Sequence, residues 1–276
     1  MLFATTALAE RIDRAEHQNA RTFTELAARR RPDALIRPVG GTAALYSGPD
    51  EPWNKLVGLG FGAPLDEYAL AAIEQEFDAR GASLRVEFST LADGAIAATL
   101  SRRGYALAGF ENVLGLELPR QQPAASPPGV TISRTAAAET RTWIETVIDG
   151  FFQPDVFDGP PPTETFARDT LLAVYDDFVG APGVVLYLAR RNGEVAGGGS
   201  IRIIDGLAML SGAATLAPHR RQGVQSALLQ ARLADAAQAG CDIAVVTTEP
   251  GSKSQQNVQK LGFELLYSRA ILIRRR

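Results

Sequence analysis

The chain has 276 residues, of which 46% are hydrophobic and 21% charged, an ordinary balance for a globular protein with one large or two modest cores. Its formal net charge of −3 and the lack of a membrane-length apolar run argue against nucleic acid or a membrane as a partner. The single cysteine, Cys241, excludes an intramolecular disulfide and a cysteine-based metal site, and it favours a reducing, cytoplasmic location.

The first half of the chain has the pattern of an α/β unit. Its beginning carries Glu10 and Asp13 and lacks the basic-then-apolar order of a secretory signal. After a glycine turn at residues 60–65, the pattern predicts a helix, a buried strand, a second helix over residues 93–102 and a strand over residues 106–118.

A proline-rich linker divides the chain. Residues 119–129, PRQQPAASPPG, are nearly uncharged and show no hydrophobic periodicity, which is typical of a connection between domains. We therefore predict two domains, at residues 1–118 and 130–276.

The second half begins with helices and a three-stranded meander. The predicted elements are helices over residues 137–148 and 163–178 and strands over residues 184–189, 195–204 and 207–216. Thr163 is a plausible N-cap of the second helix, and Asn192-Gly193 predicts a tight hairpin between the first two strands.

The rest of the second half alternates helix and strand. The helix after the third strand carries Gln225, Arg232, Asp235 and Gln238 on one face, and its other positions offer a broad apolar surface to pack on a sheet. A buried strand, a polar helical segment and a last strand over residues 265–273 follow.

The two halves share a spacing of glycines and hydrophobic residues. Val86 and Val245 each lie five residues after a glycine, and each half ends its last helix with a glycine-aromatic pair, at residues 104–105 and 262–263. Any two α/β units share part of this spacing, but the matched glycines favour a duplication.

The most informative motif is the basic turn PHRRQGVQS at residues 218–226. A glycine-bearing turn before a helix exposes backbone N–H groups at the positive helix end, which suits a phosphate or pyrophosphate. No Gly-Lys-Ser/Thr triplet follows, and the spacing is not that of a dinucleotide-binding Gly-x-Gly-x-x-Gly. Arg220-x-x-Gly223-x-Gln225 instead resembles the coenzyme A loop of the GNAT acetyltransferase superfamily, Arg/Gln-x-x-Gly-x-Gly/Ala.

The resemblance extends to the order of elements over residues 130–276. It implies a mixed α/β (α+β) fold with two tandem GNAT-like domains, acetyl-CoA as cosubstrate and no metal. By resemblance, the coenzyme would be held by the end of the third strand, the basic loop and the polar helical segment. These residues are Ala214, Thr215, Leu216, Arg220, Arg221, Gln222, Gly223, Val224, Gln225, Ser226 and Asn257.

The chemistry is less fully specified. Many family members carry a tyrosine, the acid for the leaving thiolate, where this chain has Val258. Ser254, one helical turn earlier, could replace it, as could Tyr267 or water. Glu249, just past the buried strand, is the candidate base, although a solvated turn residue would also fit this position.

The acceptor is expected to bind near residues 150–164, where phenylalanines accompany Asp155 and Asp158 and suit an ammonium group; the phenylalanines could equally anchor the loop. The turn at residues 60–65 lacks basic residues and includes Pro64, so the first half is predicted to be a degenerate copy without coenzyme. We expect an N-acetyltransferase acting on a small-molecule or peptide amine, and a homodimer is a candidate assembly. The alternative is a non-catalytic coenzyme A-binding or interaction module.

Overall fold

The computed structural model describes residues 2–118, 127–153 and 165–274. The first part of the chain contains α1 (Thr6–Ala27), β1 (Leu35–Val39), β2 (Thr42–Tyr46), β3 (Lys55–Val57), α2 (Glu67–Ala79), β4 (Arg85–Ser89), α3 (Gly94–Arg102) and β5 (Tyr105–Glu117). The second contains β6 (Val130–Arg134), a 3-10 turn (Ala137–Glu139), α4 (Thr140–Phe152), α5 (Arg168–Val179), β7 (Val184–Arg191), β8 (Glu194–Ile204) and β9 (Leu207–Thr215). It ends with a 3-10 turn (Ala217–His219), α6 (Val224–Gln238), β10 (Ile243–Thr248), α7 (Lys253–Gln259) and β11 (Glu264–Arg274).

Contacts divide the chain into two compact units. The first unit is built mainly from Phe3–Val113 and Leu266–Arg276, and the second mainly from Leu114–Pro161 and Leu171–Leu265. Two short pieces complete them, Pro162–Thr170 in the first unit and Met1–Leu2 in the second.

The first unit has the strand order β1-β2-β3-β4-β11-β5. Strands β3 and β4 are parallel, with Leu56 opposite Val86. Its hydrophobic core joins these strands to α2 and α3 through buried side chains such as Leu70, Phe77 and Leu100.

The second unit has the strand order β5-β10-β9-β8-β7-β6. Strands β6 to β9 form an antiparallel meander, and β10 runs parallel to β9. The core on the α6 side includes Leu228, Leu233 and Val258. The mixed α/β sheet agrees with the predicted fold class.

The last strand of each half completes the other half's unit. Strand β11 pairs antiparallel with β4, where Ile271 lies opposite Glu87. At the end of β5, the N–H of Leu118 donates to the carbonyl of Asp242 at 2.8 Å within the second unit. The two predicted domains, residues 1–118 and 130–276 joined by a linker at residues 119–129, stay a prediction.

Two local expectations are wrong. Helix α5 begins at Arg168, since residues 165–167 are not helical, and the predicted cap Thr163 lies outside the described residues. Arg232, expected among the polar residues of α6, is 1% exposed. Its guanidinium packs under the glycines of β8, where a Cβ on Gly199 would lie 3.1 Å from Cζ of Arg232.

Candidate functional site

The basic loop leaves the start of α6 open for an anion. Gly223 is the N-cap, with φ 80, and no side chain caps the helix. The first helical bond runs from the N–H of Ala227 to the carbonyl of Gly223 at 3.0 Å. The N–H groups of Val224, Gln225 and Ser226 therefore have no intrahelical acceptor and lie at the positive end of the helix dipole.

Gly223 cannot be replaced without moving its surroundings. Its φ lies in the left-handed region, and a Cβ there would lie 2.5 Å from Cγ of Pro127. Glycine is therefore required both by the backbone conformation and by the end of the linker that packs against it.

The two arginines of the loop have different environments. Arg220 Nε donates to the carbonyl of Thr215 at 3.1 Å, and its Nη2 donates to the carbonyl of Gln153. Its guanidinium thus joins the end of β9 to the end of α4 while keeping its charge in the loop. Arg221, with φ 59, is exposed. Arg221 is consequently the cation better placed to reach a phosphate.

Strands β9 and β10 open into a wedge. Their parallel ladder runs from Leu207 opposite Ile243 to Met209 opposite Val245. Both strands are fully described, and no ladder pair joins their remaining residues, up to Thr215 and Thr248. The two strands therefore separate toward the basic loop, as expected for a site that admits an acyl group.

Buried polar atoms without partners collect around this wedge. We call them the orphan set: Thr215 Oγ1, His219 Nδ1, Gln222 Oε1 and Thr248 Oγ1. Buried polar groups are nearly always hydrogen-bonded, so an orphan set at a strand end and a helix start favours a ligand that supplies the partners. Thr248 was not predicted from sequence, since a threonine at a strand end carries no functional signal.

The predicted strand contacts are partly occupied. The N–H of Leu216 donates to the carbonyl of Ala196 at 3.0 Å. Since N–H groups alternate in direction along a strand, the N–H of Thr215 faces away from β8, toward the wedge. Ala214 is 8% exposed and packs against α4, where a Cβ on Gly150 would lie 2.5 Å from its Cβ.

The candidate acids and base differ in position. Glu249 follows β10 and is exposed, and Ser254 is exposed in the first turn of α7, one turn before half-buried Asn257. Val258 is 3% exposed in the core, so the family's tyrosine position is a packing position here. The hydroxyl of Tyr267, a residue of the first unit, is already engaged, because it donates to Asp13 at 2.6 Å.

The predicted acceptor segment is described only at its beginning. Phe151 and Phe152, at the end of α4, are 43% and 47% exposed. Asp155 and Asp158 lie outside the described residues. Two neighbouring half-exposed phenylalanines provide an apolar surface that an acceptor could contact.

The corresponding helix start of the first unit is capped by a side chain. Asp66 caps α2, and its carboxylate accepts from the N–H groups of Tyr68 at 2.9 Å and Ala69 at 3.1 Å. A cleft of about 520 Å³ lies beside the turn at residues 60–65, lined by Gly60, Gly62, Pro64, Leu65, Asp93 and Ile96 among others. The carboxylates of Asp66 and Asp93 make this region unfavourable for a pyrophosphate.

Two features are absent from the described residues. No group of three or more potential metal ligands was found in the described part of the chain. No described helix is long and apolar enough to cross a membrane.

Comparison with known proteins gives one family match and several similar folds. Residues 152–263 match the model of the Acetyltransferase (GNAT) family. A GCN5-related N-acetyltransferase from Kribbella flavida superposes with a TM-score of 0.71 at 20% identity, over 97% of this chain and 95% of its own. A GCN5-related N-acetyltransferase from Sphaerobacter thermophilus gives 0.57 at 14% identity, over 75% and 66%.

A tandem GNAT protein from the clavulanic acid biosynthesis pathway gives a TM-score of 0.60 at 15% identity, over 91% of this chain and 86% of its own. Among curated proteins, none matches the sequence significantly. Residues 152–263 thus match a GNAT-family domain, and the chain as a whole has a GNAT fold that it shares with a tandem GNAT protein.

Proposed function

We propose that the second unit transfers the acetyl group of acetyl-CoA to a primary amine, by direct attack of the amine in a ternary complex. The GNAT family is a family of acetyltransferases, which supports the reaction class. The observation that carries the proposal is the junction of an uncapped helix start at Gly223 with the wedge between β9 and β10.

The residues present suit a long thioester that carries a pyrophosphate. The N–H groups of residues 224–226 and the charge of Arg221 suit the pyrophosphate. The orphan set and the N–H of Thr215 suit the amide and carbonyl groups of a pantetheine arm. The lack of ladder pairs between the ends of β9 and β10 supports placing the thioester between Ala214 and Thr247.

The reaction balances without another reactant. A neutral amine nitrogen attacks the thioester carbonyl carbon, the C–S bond breaks, and the thiolate takes the proton that the nitrogen loses. Glu249 is the proposed acceptor of the proton from nitrogen, and Ser254 is the proposed donor of its hydroxyl proton to sulfur. Return of a proton from Glu249 to Ser254 then restores both side chains. Because a thiolate is a good leaving group near neutral pH, the acid assists the reaction without being indispensable.

The alternative is a non-catalytic coenzyme-binding module. It is favoured by the burial of Val258, which leaves α7 without the usual tyrosine hydroxyl, and by the exposure of both Glu249 and Ser254. A module of this kind would keep the uncapped loop and the wedge but lack turnover.

Free-thiol release from acetyl-CoA across a panel of primary amines distinguishes the two. We expect amine-dependent release, and we expect it to fall at subsaturating acetyl-CoA in Ser226→Asp, which places a carboxylate at the uncapped helix start. Calorimetric binding of acetyl-CoA without release on any amine would support the alternative. An absence of binding by the unmodified chain would contradict both.

A further inference from the structure

A β-bulge shapes the strand that borders the wedge. Two residues of β9, Gly212 and Ala213, face the single residue Gly199 of β8. Gly212 has φ 55, in the region that favours glycine. A bulge bends its strand, so this one sets the direction in which β9 leaves the ladder with β10 and runs to Thr215.

Trp143 braces the bulge from α4. Its Nε1 donates to the carbonyl of Gly199 at 3.1 Å, and the ring is fully buried. A Cβ on Gly212 would lie 3.2 Å from Cη2 of the indole, so the ring touches the bulge directly. The ring also stacks with Phe178 of α5 at a centroid distance of 6.0 Å.

Arg232 packs against Gly199, the residue opposite the bulge, from the other face of the sheet. Cβ positions of Gly198 and Gly199 point to Trp143 and to Arg232 respectively, and successive residues of a strand face opposite sides. Arg232 Nη1 donates to the carbonyl of Ser200 at 3.1 Å, and Nε donates to the carbonyl of Leu228 at 3.0 Å.

The charge of Arg232 is not neutralised by a carboxylate. Its side chain forms no ion pair with any acid of the described chain, and Nη2 is buried without a partner. The neighbouring Tyr187 hydroxyl donates to Asp235 at 2.7 Å. Burial lowers the pKa of Arg232 to about 10, so the group remains a cation at neutral pH.

A buried cation without a counter-ion is strongly unfavourable for folding, and an apolar side chain of similar size would avoid that cost. Backbone carbonyls alone do not require a charge, because a neutral donor could satisfy them. Packing alone therefore does not explain an arginine at position 232. What its guanidinium adds is a fixed positive potential beneath the bulge.

We propose that Arg232 is a positioning residue of the acyl-transfer site, which with Trp143 fixes the β9 bulge and places positive potential where the thioester oxygen gains negative charge. This rests on the proposed acetyl transfer. A preorganised charge in a water-excluded site stabilises developing negative charge without reorganisation during the reaction.

The first test compares Arg232→Met, which removes the charge, with Arg232→Lys, which keeps it. We expect Arg232→Met to lower kcat by roughly tenfold to a hundredfold, with the KM for acetyl-CoA changed by less than about threefold. Arg232→Lys should recover most of kcat. Arg134→Met, at an arginine that is 65% exposed, is the control and should leave both constants unchanged. If Met does not fold, Arg232→Gln replaces it.

The second test needs binding but no turnover. The infrared carbonyl stretch of bound acetyl-CoA labelled with carbon-13 at the thioester carbon should lie at lower wavenumber in the unmodified chain and in Arg232→Lys than in Arg232→Met. Bound coenzyme with one frequency in all three chains, or an unchanged kcat in Arg232→Met, would overturn the inference while leaving the proposed function intact. If the unmodified chain binds no acetyl-CoA, the proposed function fails and the inference fails with it.

Discussion

Arg269 and Asp13 form a buried ion pair in the first unit, with Nη2 of Arg269 2.7 Å from Oδ1 of Asp13 and both side chains 1% exposed. Arg269 Nε donates to the same oxygen at 3.0 Å, and so does the hydroxyl of Tyr267. Burial raises the pKa of Asp13, but these donors oppose it, and we take the pair as ionised at neutral pH. The pair fastens β11, the last strand, to α1, the first helix.

Breaking this pair should destabilise the protein strongly. Asp13→Asn leaves the buried guanidinium without its main counter-ion, and we expect the free energy of unfolding to fall by ~3 kcal/mol in urea denaturation. Glu25→Gln is the matched control, because Glu25 pairs with Arg21 where the side chains are 53% and 50% exposed. That change should cost less than about 0.5 kcal/mol. Equal effects of the two substitutions would contradict the prediction.

Two further carboxylates, those of Glu87 and Glu111, each lie 3.7 Å from Nη1 of Arg269, and Glu111 predicts a pH dependence of stability. Burial, and secondly the charge of Glu87, raises the pKa of Glu111 from its ordinary value of 4.5 to about 7. Between these values the folded chain retains a proton that the unfolded chain releases, so this group makes the free energy of unfolding fall as pH rises. Glu111→Gln cannot titrate, and its stability relative to the unmodified chain should increase across this window and then level off. Exposed Glu117→Gln, in the same strand, should show no such trend.

Coenzyme binding should depend on the uncapped start of α6. Ser226→Asp adds a carboxylate among the N–H groups that would bind pyrophosphate, and we expect the Kd for acetyl-CoA to rise about tenfold or more, which is ~1.4 kcal/mol. The same carboxylate favours the helix dipole, so stability should not fall. Gln238→Glu, exposed at the other end of α6, carries the same charge change and should leave the Kd unchanged. A similar loss in both variants would indicate a net-charge effect instead.

One coenzyme is expected per chain. In the first unit, the carboxylate of Asp66 already accepts from two N–H groups at the start of α2. A calorimetric titration of the whole chain with acetyl-CoA should therefore give a stoichiometry near one, and Ser226→Asp should weaken that one event. A second event of comparable affinity, unaffected by Ser226→Asp, would show that the first unit binds coenzyme.

The proposed acid and base can be separated by pH–rate profiles. Ser254→Ala should lower kcat by about tenfold or less, since the thiolate leaves without full protonation. Glu249→Gln should shift the rising limb of the profile, which reports the requirement for a base, to higher pH, where more of the acceptor amine is already neutral. Asn257→Ala is the control: it should raise the Kd for acetyl-CoA and leave the shape of the pH–rate profile unchanged. If neither profile changes, the proton passes through water or another group.

Local signals in the sequence predicted local structure well. The helix predicted over residues 93–102 is α3, capped by Asp93, whose carboxylate accepts from the N–H of Ala95 at 3.0 Å. The Asn192-Gly193 hairpin is confirmed, with φ 51 and 89 at the two residues, because a two-residue turn of this kind needs positive φ at both. The start of α5 was predicted five residues too early, because a threonine before a periodic segment is a common cap signal, whereas residues 165–167 are not helical.

Relationships between distant residues could not be predicted. Tyr267 and Asp13 are 254 positions apart, and no periodicity connects them. Arg232 was placed with the polar side chains of α6 because polarity alone suggests exposure, whereas its hydrogen bonds to the carbonyls of Leu228 and Ser200 allow burial. In the candidate site, the loop was predictable from its glycine and arginines, but the wedge required the register of β9 and β10.

The pairing of β11 with β4 has a consequence for the order of events during synthesis. Arg269 lies opposite Ser89, so the first unit needs a strand that the ribosome makes about 180 residues after the strand it joins. Until then, the edge of β4 has no partner on that side, and contacts of such long separation form slowly. The half of the chain that is made first is thus completed last. A nascent chain stopped at the linker should be sensitive to protease, whereas the first unit should be protected once the full chain is released.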